Sequence, residues 1–174
     1  PFTGQKLQAL ELLASAMHSG DPARMKESQE ILENVKESTT LWLQADAILQ
    51  NCQQTQTAFF TLMTLHASVK SKWELLSAEQ RDSIKNYMAG YIYGMINNGH
   101  KSRRMLLGKA NSILVEIIKK EWNGSWSSAI RDIAQSSYQS QEVCENNLQI
   151  LRELSTEIFD FSKNSMSAAE ASAI

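Results

Sequence analysis

Three histidines, His18, His66 and His100, and two cysteines, Cys52 and Cys144, are the side chains of this sequence best suited to metal binding or nucleophilic chemistry. Their spacing assembles neither. No histidine stands in H-E-x-x-H or at ligand spacing from a cysteine or carboxylate, so no metal site is expected. The cysteines lie far apart and in no C-x-x-C pattern; they read as small, partly buried thiols of a reducing compartment, without a disulfide. His66 falls on the apolar side of a helical segment, where a half-buried histidine satisfied by its neighbours is the ordinary reading. The sequence has no G-x-S-x-G, no glycine loop for phosphate, and no Ser or Cys sharing a helix face with a base. The expectation is therefore no catalytic residue, no cofactor and no enzyme. A net charge of -2 over 174 residues gives no global attraction to nucleic acid or to an anionic membrane. Two local basic groups remain, Lys101, Arg103, Arg104 and Lys109, then Lys119 and Lys120. They read as solvated faces or as the seat of an anionic partner.

The elements that would position these residues are helices. Two prolines, seven glycines and abundant Leu, Ala, Glu, Gln, Lys and Ser favour helix, and no stretch alternates as a strand does. The strongest segment is Ser102–Trp126. There Ala110, Ile113, Leu114, Ile117, Ile118 and Trp122 recur at three- and four-residue steps, opposite a wall carrying Lys109, Asn111, Glu116, Lys119 and Lys120.

Around it, Leu7, Leu10, Leu13, Ala14 and Met17 define a first helix ending at Ser19-Gly20. Asp21-Pro22 caps a second with Met25, Ser28, Leu32 and Val35 on one face. A third carries Leu41 or Trp42, Ala45, Ile48, Leu49 and Cys52, and a fourth Phe59, Leu62, Met63, His66, Val69 and Trp73. The capping box Ser77-Ala78-Glu79-Gln80 starts a fifth with Ile84, Tyr87, Met88, Tyr91, Ile92 and Met95. Gly90 and Gly94 within it suggest close approach of a neighbouring helix. After the strongest segment, Asn123-Gly124-Ser125 turns the chain into a seventh helix with Trp126, Ala129, Ile130, Ile133 and Ala134. An eighth has Cys144, Leu148, Leu151, Leu154, Ile158 and Phe161 inward.

Eight helices with short turns fall into about four antiparallel pairs, beginning near Thr3, Ser38, Ser77 and Trp126, at a spacing of about 40 residues. That period predicts an all-α chain, an α-solenoid of about four HEAT-type helical hairpins; an eight-helix globular bundle is the alternative. The repeat domain is expected over residues 1–162, with a polar tail or boundary over 163–174. With no signal-peptide pattern and no apolar run of about 20 residues, the expectation is an intracellular soluble protein without membrane insertion.

The run Gly108-Lys109-Ala110-Asn111-Ser112-Ile113-Leu114-Val115-Glu116-Ile117-Ile118-Lys119-Lys120-Glu121-Trp122, with Trp126 after it, resembles the N-terminal repeats of the exportin-one family of the importin-β superfamily. Glu145-Asn146-Asn147-Leu148 through Ile158-Phe159-Asp160-Phe161-Ser162 extends the likeness. So do Trp42, Lys70-Ser71-Lys72-Trp73 and Ile84-Lys85-Asn86-Tyr87, so that nearly the whole chain is covered. There are two departures: the family's tryptophan-proline pairs stand here as Trp122-Asn123 and Trp126-Ser127, and Ala67 occupies the place of a common Asn.

The resemblance implies the N-terminal segment of a nuclear export receptor, which shuttles through the nuclear pore between nucleus and cytoplasm. Its first repeats bind Ran-GTP. Cargo with a leucine-rich export signal engages later repeats, nucleoporins are partners, and nucleic acid is not contacted directly. The family's reactive cysteine also lies in later repeats, so Cys52 and Cys144 do not inherit that role. The inner faces of the second, fourth and sixth helices then nominate Gln29, Gln56, Phe60, Lys109 and Asn111 for Ran-GTP, with Phe60 equally readable as an edge of the core and Lys109 as a solvated lysine. A HEAT scaffold of another trafficking pathway and a helical enzyme domain are the competing readings.

Overall fold

The computed structural model describes residues 4–17, 21–37, 42–98 and 104–159. Among these residues it is all helix and turn, with eight α-helices: α1 Gly4–Ala16, α2 Pro22–Glu37, α3 Ala45–Asn51, α4 Thr55–Lys72, α5 Ala78–Asn97, α6 Arg104–Glu121, α7 Ala129–Ser136 and α8 Gln141–Phe159. Short 3-10 turns over Trp42–Gln44 and Trp73–Leu75 lead into α3 and out of α4. The helices number and order as the periodicity predicts. His18, the Ser19-Gly20 stop, Gly99, His100, Lys101, Arg103, Phe161 and the 162/163 boundary lie outside the described residues, as do Leu41 and the side chains of Leu32, Val35 and Trp42. The chain divides into two compact units, Pro1–Ser71 and Lys72–Ile174.

In the first unit α1 packs on α2, whose start is fixed as expected: Asp21 Oδ1 accepts from the Ala23 N–H at 3.0 Å, and Pro22 opens the helix. Leu10 of α1, Ile48 of α3 and Phe60 of α4 form a core cluster, with Leu7, Leu13, Met17 and Cys52 against it. The facing of α4 differs from the periodic reading. Met63 is exposed and Phe59 only half-buried, whereas Thr57, Thr61, Thr64 and Ser68 are buried beside Leu62, Leu65 and Val69. For Thr61 and Thr64 the reason is local, whereas the buried Thr57 Oγ1 has no hydrogen-bond partner among the described residues. Thr61 and Thr64 donate their hydroxyls to the carbonyls of Thr57 and Phe60, at 2.8 and 3.0 Å, so a short polar side chain is satisfied by its own helix and can turn inward.

In the second unit the Ser77 capping box is formed, with Gln80 N–H donating to Ser77 Oγ at 3.2 Å and Ser77 N–H to Gln80 Oε1 at 3.0 Å. α5 packs along α6, α7 along α8, and α6 along α8, so two hairpins are joined through their second helices. Three expectations are corrected. Leu148 is 61% exposed; the buried face of α8 is Val143, Asn146, Asn147, Ile150, Leu154 and Ile158. Among the described residues Gly90 and Gly94 meet nothing within 4 Å where a Cβ would stand, so no described helix approaches closely there. Trp126 lies in the turn before α7 rather than in the helix.

Candidate protein-binding surface

The residues nominated for a partner fall in different surroundings. In the first unit Gln29, on α2, and Gln56, in the first turn of α4, are exposed. Phe60 is buried against Leu10 and Ile48, so its place as an edge of the core is the one the structure supports. In the second unit Lys109 is half-exposed on α6. Asn111 is 2% exposed, and it is corrected from a surface residue to an interior one. Its Nδ2 donates to Asn146 Oδ1 at 2.8 Å, and Asn146 Nδ2 donates back to Asn111 Oδ1 at 3.2 Å.

The wall of α6 read as solvated is thus largely interior. Glu116 is buried, and Lys119 lies between Glu116 and Glu157, its Nζ 3.2 and 3.3 Å from their carboxylates. Of the two basic groups singled out in the sequence, Arg104 and Lys120 are the described members that are exposed. At the end of α6 Glu121, 5% exposed, accepts from Trp73 Nε1 at 2.6 Å and from Ser125 Oγ at 2.6 Å, and stands 3.5 Å from the Arg81 guanidinium. Burial alone would raise its carboxyl. The Ser125 hydroxyl, Trp73, the Ser125 backbone and Arg81 together outweigh that and hold it below the usual carboxylate range.

Sequence reading missed this interior polar set, although a signal was present. Asn111 stands three, four and seven residues before Leu114, Val115 and Ile118, and Asn147 stands four after Val143 and three before Ile150. Both therefore keep the spacing of the buried stripe. Asn147 completes the set: its Nδ2 lies 2.8 to 2.9 Å from the Ile133 carbonyl and the Ser136 and Ser137 hydroxyls.

A groove of about 520 Å³ opens in this unit among α5, α7 and α8, lined by Gly90, Tyr93, Ile96, Trp126, Ile133 and Val143, with Asp132 at its edge. Trp126 is held there by Asp132, which accepts its Nε1–H at 2.8 Å, and by Lys85, whose Nζ lies 5.5 Å from the ring centroid. The arrangement suits an apolar contact rather than chemistry. Among the described residues no three His, Cys, Asp or Glu side chains could hold a metal ion, and no helix is long and apolar enough to cross a membrane.

Two family matches cover most of the chain: residues 28–93 match the importin-beta N-terminal domain, and residues 103–174 match the exportin 1-like protein family. A relative named exportin 1B from Arabidopsis thaliana is 38% identical over 160 residues, 90% of this chain. Exportin-1 of Dictyostelium discoideum is 37% identical over 144 residues, 82% of the chain, and exportin-1 of Drosophila melanogaster 30% over 167 residues, 95% of it. The chain belongs to the exportin 1 family. It spans 15%, 14% and 16% of the length of those three relatives. Its fold class is the all-α helical solenoid of the importin-β and exportin proteins. The importin-beta N-terminal match runs through α2 to α5 and the exportin match through α6 to α8, so both halves of the chain carry the family likeness.

Proposed function

We propose that this chain is the Ran-GTP-binding N-terminal segment of a nuclear export receptor, one that carries leucine-rich-signal cargo from nucleus to cytoplasm. The observation that carries the reading is the match of residues 28–93 to the importin-beta N-terminal domain, joined to exportin 1 likeness over the rest. The segment acts by binding, not by catalysis. Its contacts with Ran use exposed side chains: Gln29 and Gln56 in the first unit and Lys109 in the second. Cargo engages repeats beyond this segment, and the apolar groove beside Trp126 is the surface of the second unit best suited to a nucleoporin segment. The whole protein shuttles between nucleus and cytoplasm. A pull-down with GTP-loaded and GDP-loaded Ran tests the reading: selective retention of the GTP form by the full-length protein is expected, and equal retention or none by that protein would overturn it.

A further inference from the structure

α6 and α8 run parallel, because Asn111 meets Asn146 and, roughly two to three turns further along both helices, Lys119 meets Glu157. Between these points Val115 and Ile118 on α6 and Ile150 and Leu154 on α8 are buried aliphatic residues, while the buried Glu116 and Asn147 are satisfied by Lys119 and by α7 and the turn after it. An aliphatic seam fixes how tightly two helices pack but says little about their offset. A slide of one turn, about 5.4 Å, exchanges one branched aliphatic side chain for another of similar volume. The polar positions do not tolerate that exchange. Asn111 and Asn146, 2% and 4% exposed, each satisfy the other's amide, and a slide would leave both desolvated and unpaired. Lys119, whose side chain is 8% exposed, would lose Glu157 while keeping only Glu116 of its own helix.

We propose that these two polar rungs set the offset of α8 on α6, so that the two hairpins of the second unit stack in a single register. The device is of the same physical kind as a buried asparagine that fixes the register of a coiled coil: it sacrifices some packing for uniqueness. Sequence spacing puts Asn111 on the buried stripe, and this is the role that position leaves open once it is removed from the partner surface.

The test uses the 174-residue chain, labelled with 15N, and two sets of substitutions. Asn111→Leu and Asn146→Leu alone should each lower the melting temperature by about 3 °C or more, since each strands one buried amide. The pair together should lose less than the sum of the two; strictly additive losses would overturn the proposal. The second set removes both rungs, combining that pair with Glu116→Gln, Lys119→Met and Glu157→Met. Amide signals of α6 and α8 should then split into more than one set or broaden, while either rung alone keeps one sharp set. One sharp set with unchanged α6 to α8 contacts after both rungs are removed would overturn it, and if that variant does not fold, the additivity measurement decides.

Discussion

The two units bury polar side chains in opposite ways. In the first, the buried polar groups of α4 are hydroxyls, and those of Thr61 and Thr64 return to the carbonyl one turn back on the same helix. Its longer-range polar links, Ser15 to Gln54 at 2.5 Å and the Gln53 N–H to Glu11 at 2.7 Å, lie exposed. In the second unit the buried polar groups are amides and charges, and apart from Glu116, which pairs with Lys119 of its own helix, they find partners on other elements: Asn111 with Asn146, Lys119 with Glu157, Glu121 with Trp73 and Arg81. Local satisfaction leaves helices free to choose neighbours by shape alone. Cross-element satisfaction makes the neighbour's identity part of the helix's own stability, so the second unit should be the more specific of the two and the less tolerant of polar-to-apolar change.

The comparison can be broken most forcefully at Ile117, which is fully buried in α6. Ile117→Asp puts a carboxylate into apolar packing at a cost of several kcal/mol, enough to unfold a unit of ordinary stability. Loss of helical circular dichroism on mild warming is expected, and an unchanged melting temperature would show the facing of α6 to be wrong.

Glu121 sharpens the contrast next. Replacing it by Gln should cost roughly 1 to 3 kcal/mol, because its contacts to Trp73, Ser125 and Arg81 cannot all be kept by an amide. Its carboxyl is held below the ordinary value of 4.5 in the folded chain, so its contribution is fully present above that pH and is lost as pH falls through the lower folded value. Acid titration of the unmodified chain should show stability falling below about pH 4.5, and the Gln variant a flatter profile over the same window.

A smaller effect is expected on α5. Gly90→Ala and Gly94→Ala meet open space, so each should stabilise the helix by up to about 1 kcal/mol. A lower melting temperature for either would place an unseen neighbour there. Smallest of all, Glu11→Ala in the first unit removes an exposed bond to the Gln53 N–H and should shift stability by about 0.5 kcal/mol or less in denaturant titration.

The same contrast explains what was legible in the sequence. Helix number, order and caps followed from short-range patterns: Asp21-Pro22 and Ser77 to Gln80 satisfy neighbours a few residues away, and the aliphatic spacing in α1, α3 and α6 names their buried faces. Residue type misled at Met63, Leu148, Asn111 and Glu116. There an apolar residue was placed inward or a polar one outward without regard to a partner on the same or another helix. Whether Asn111 can be buried depends on Asn146, and one sequence does not announce that pairing. Of the residues nominated for a partner, Gln29 and Gln56 are exposed and Lys109 is half-exposed, while Phe60 and Asn111 are occupied by the fold itself.

If recognition of Ran rests on side chains that a partner can reach, replacing Lys109 should weaken it. The decisive measurement is a titration of GTP-loaded Ran against the full-length protein, unmodified and carrying Lys109→Ala, at two salt concentrations, after circular dichroism confirms unchanged helicity. The account predicts weakening of about 5- to 30-fold, corresponding to about 1 to 2 kcal/mol, and a shallower salt dependence. Unaltered affinity and unaltered salt dependence would contradict it for Lys109, and absence of binding by the unmodified protein would contradict the functional assignment itself.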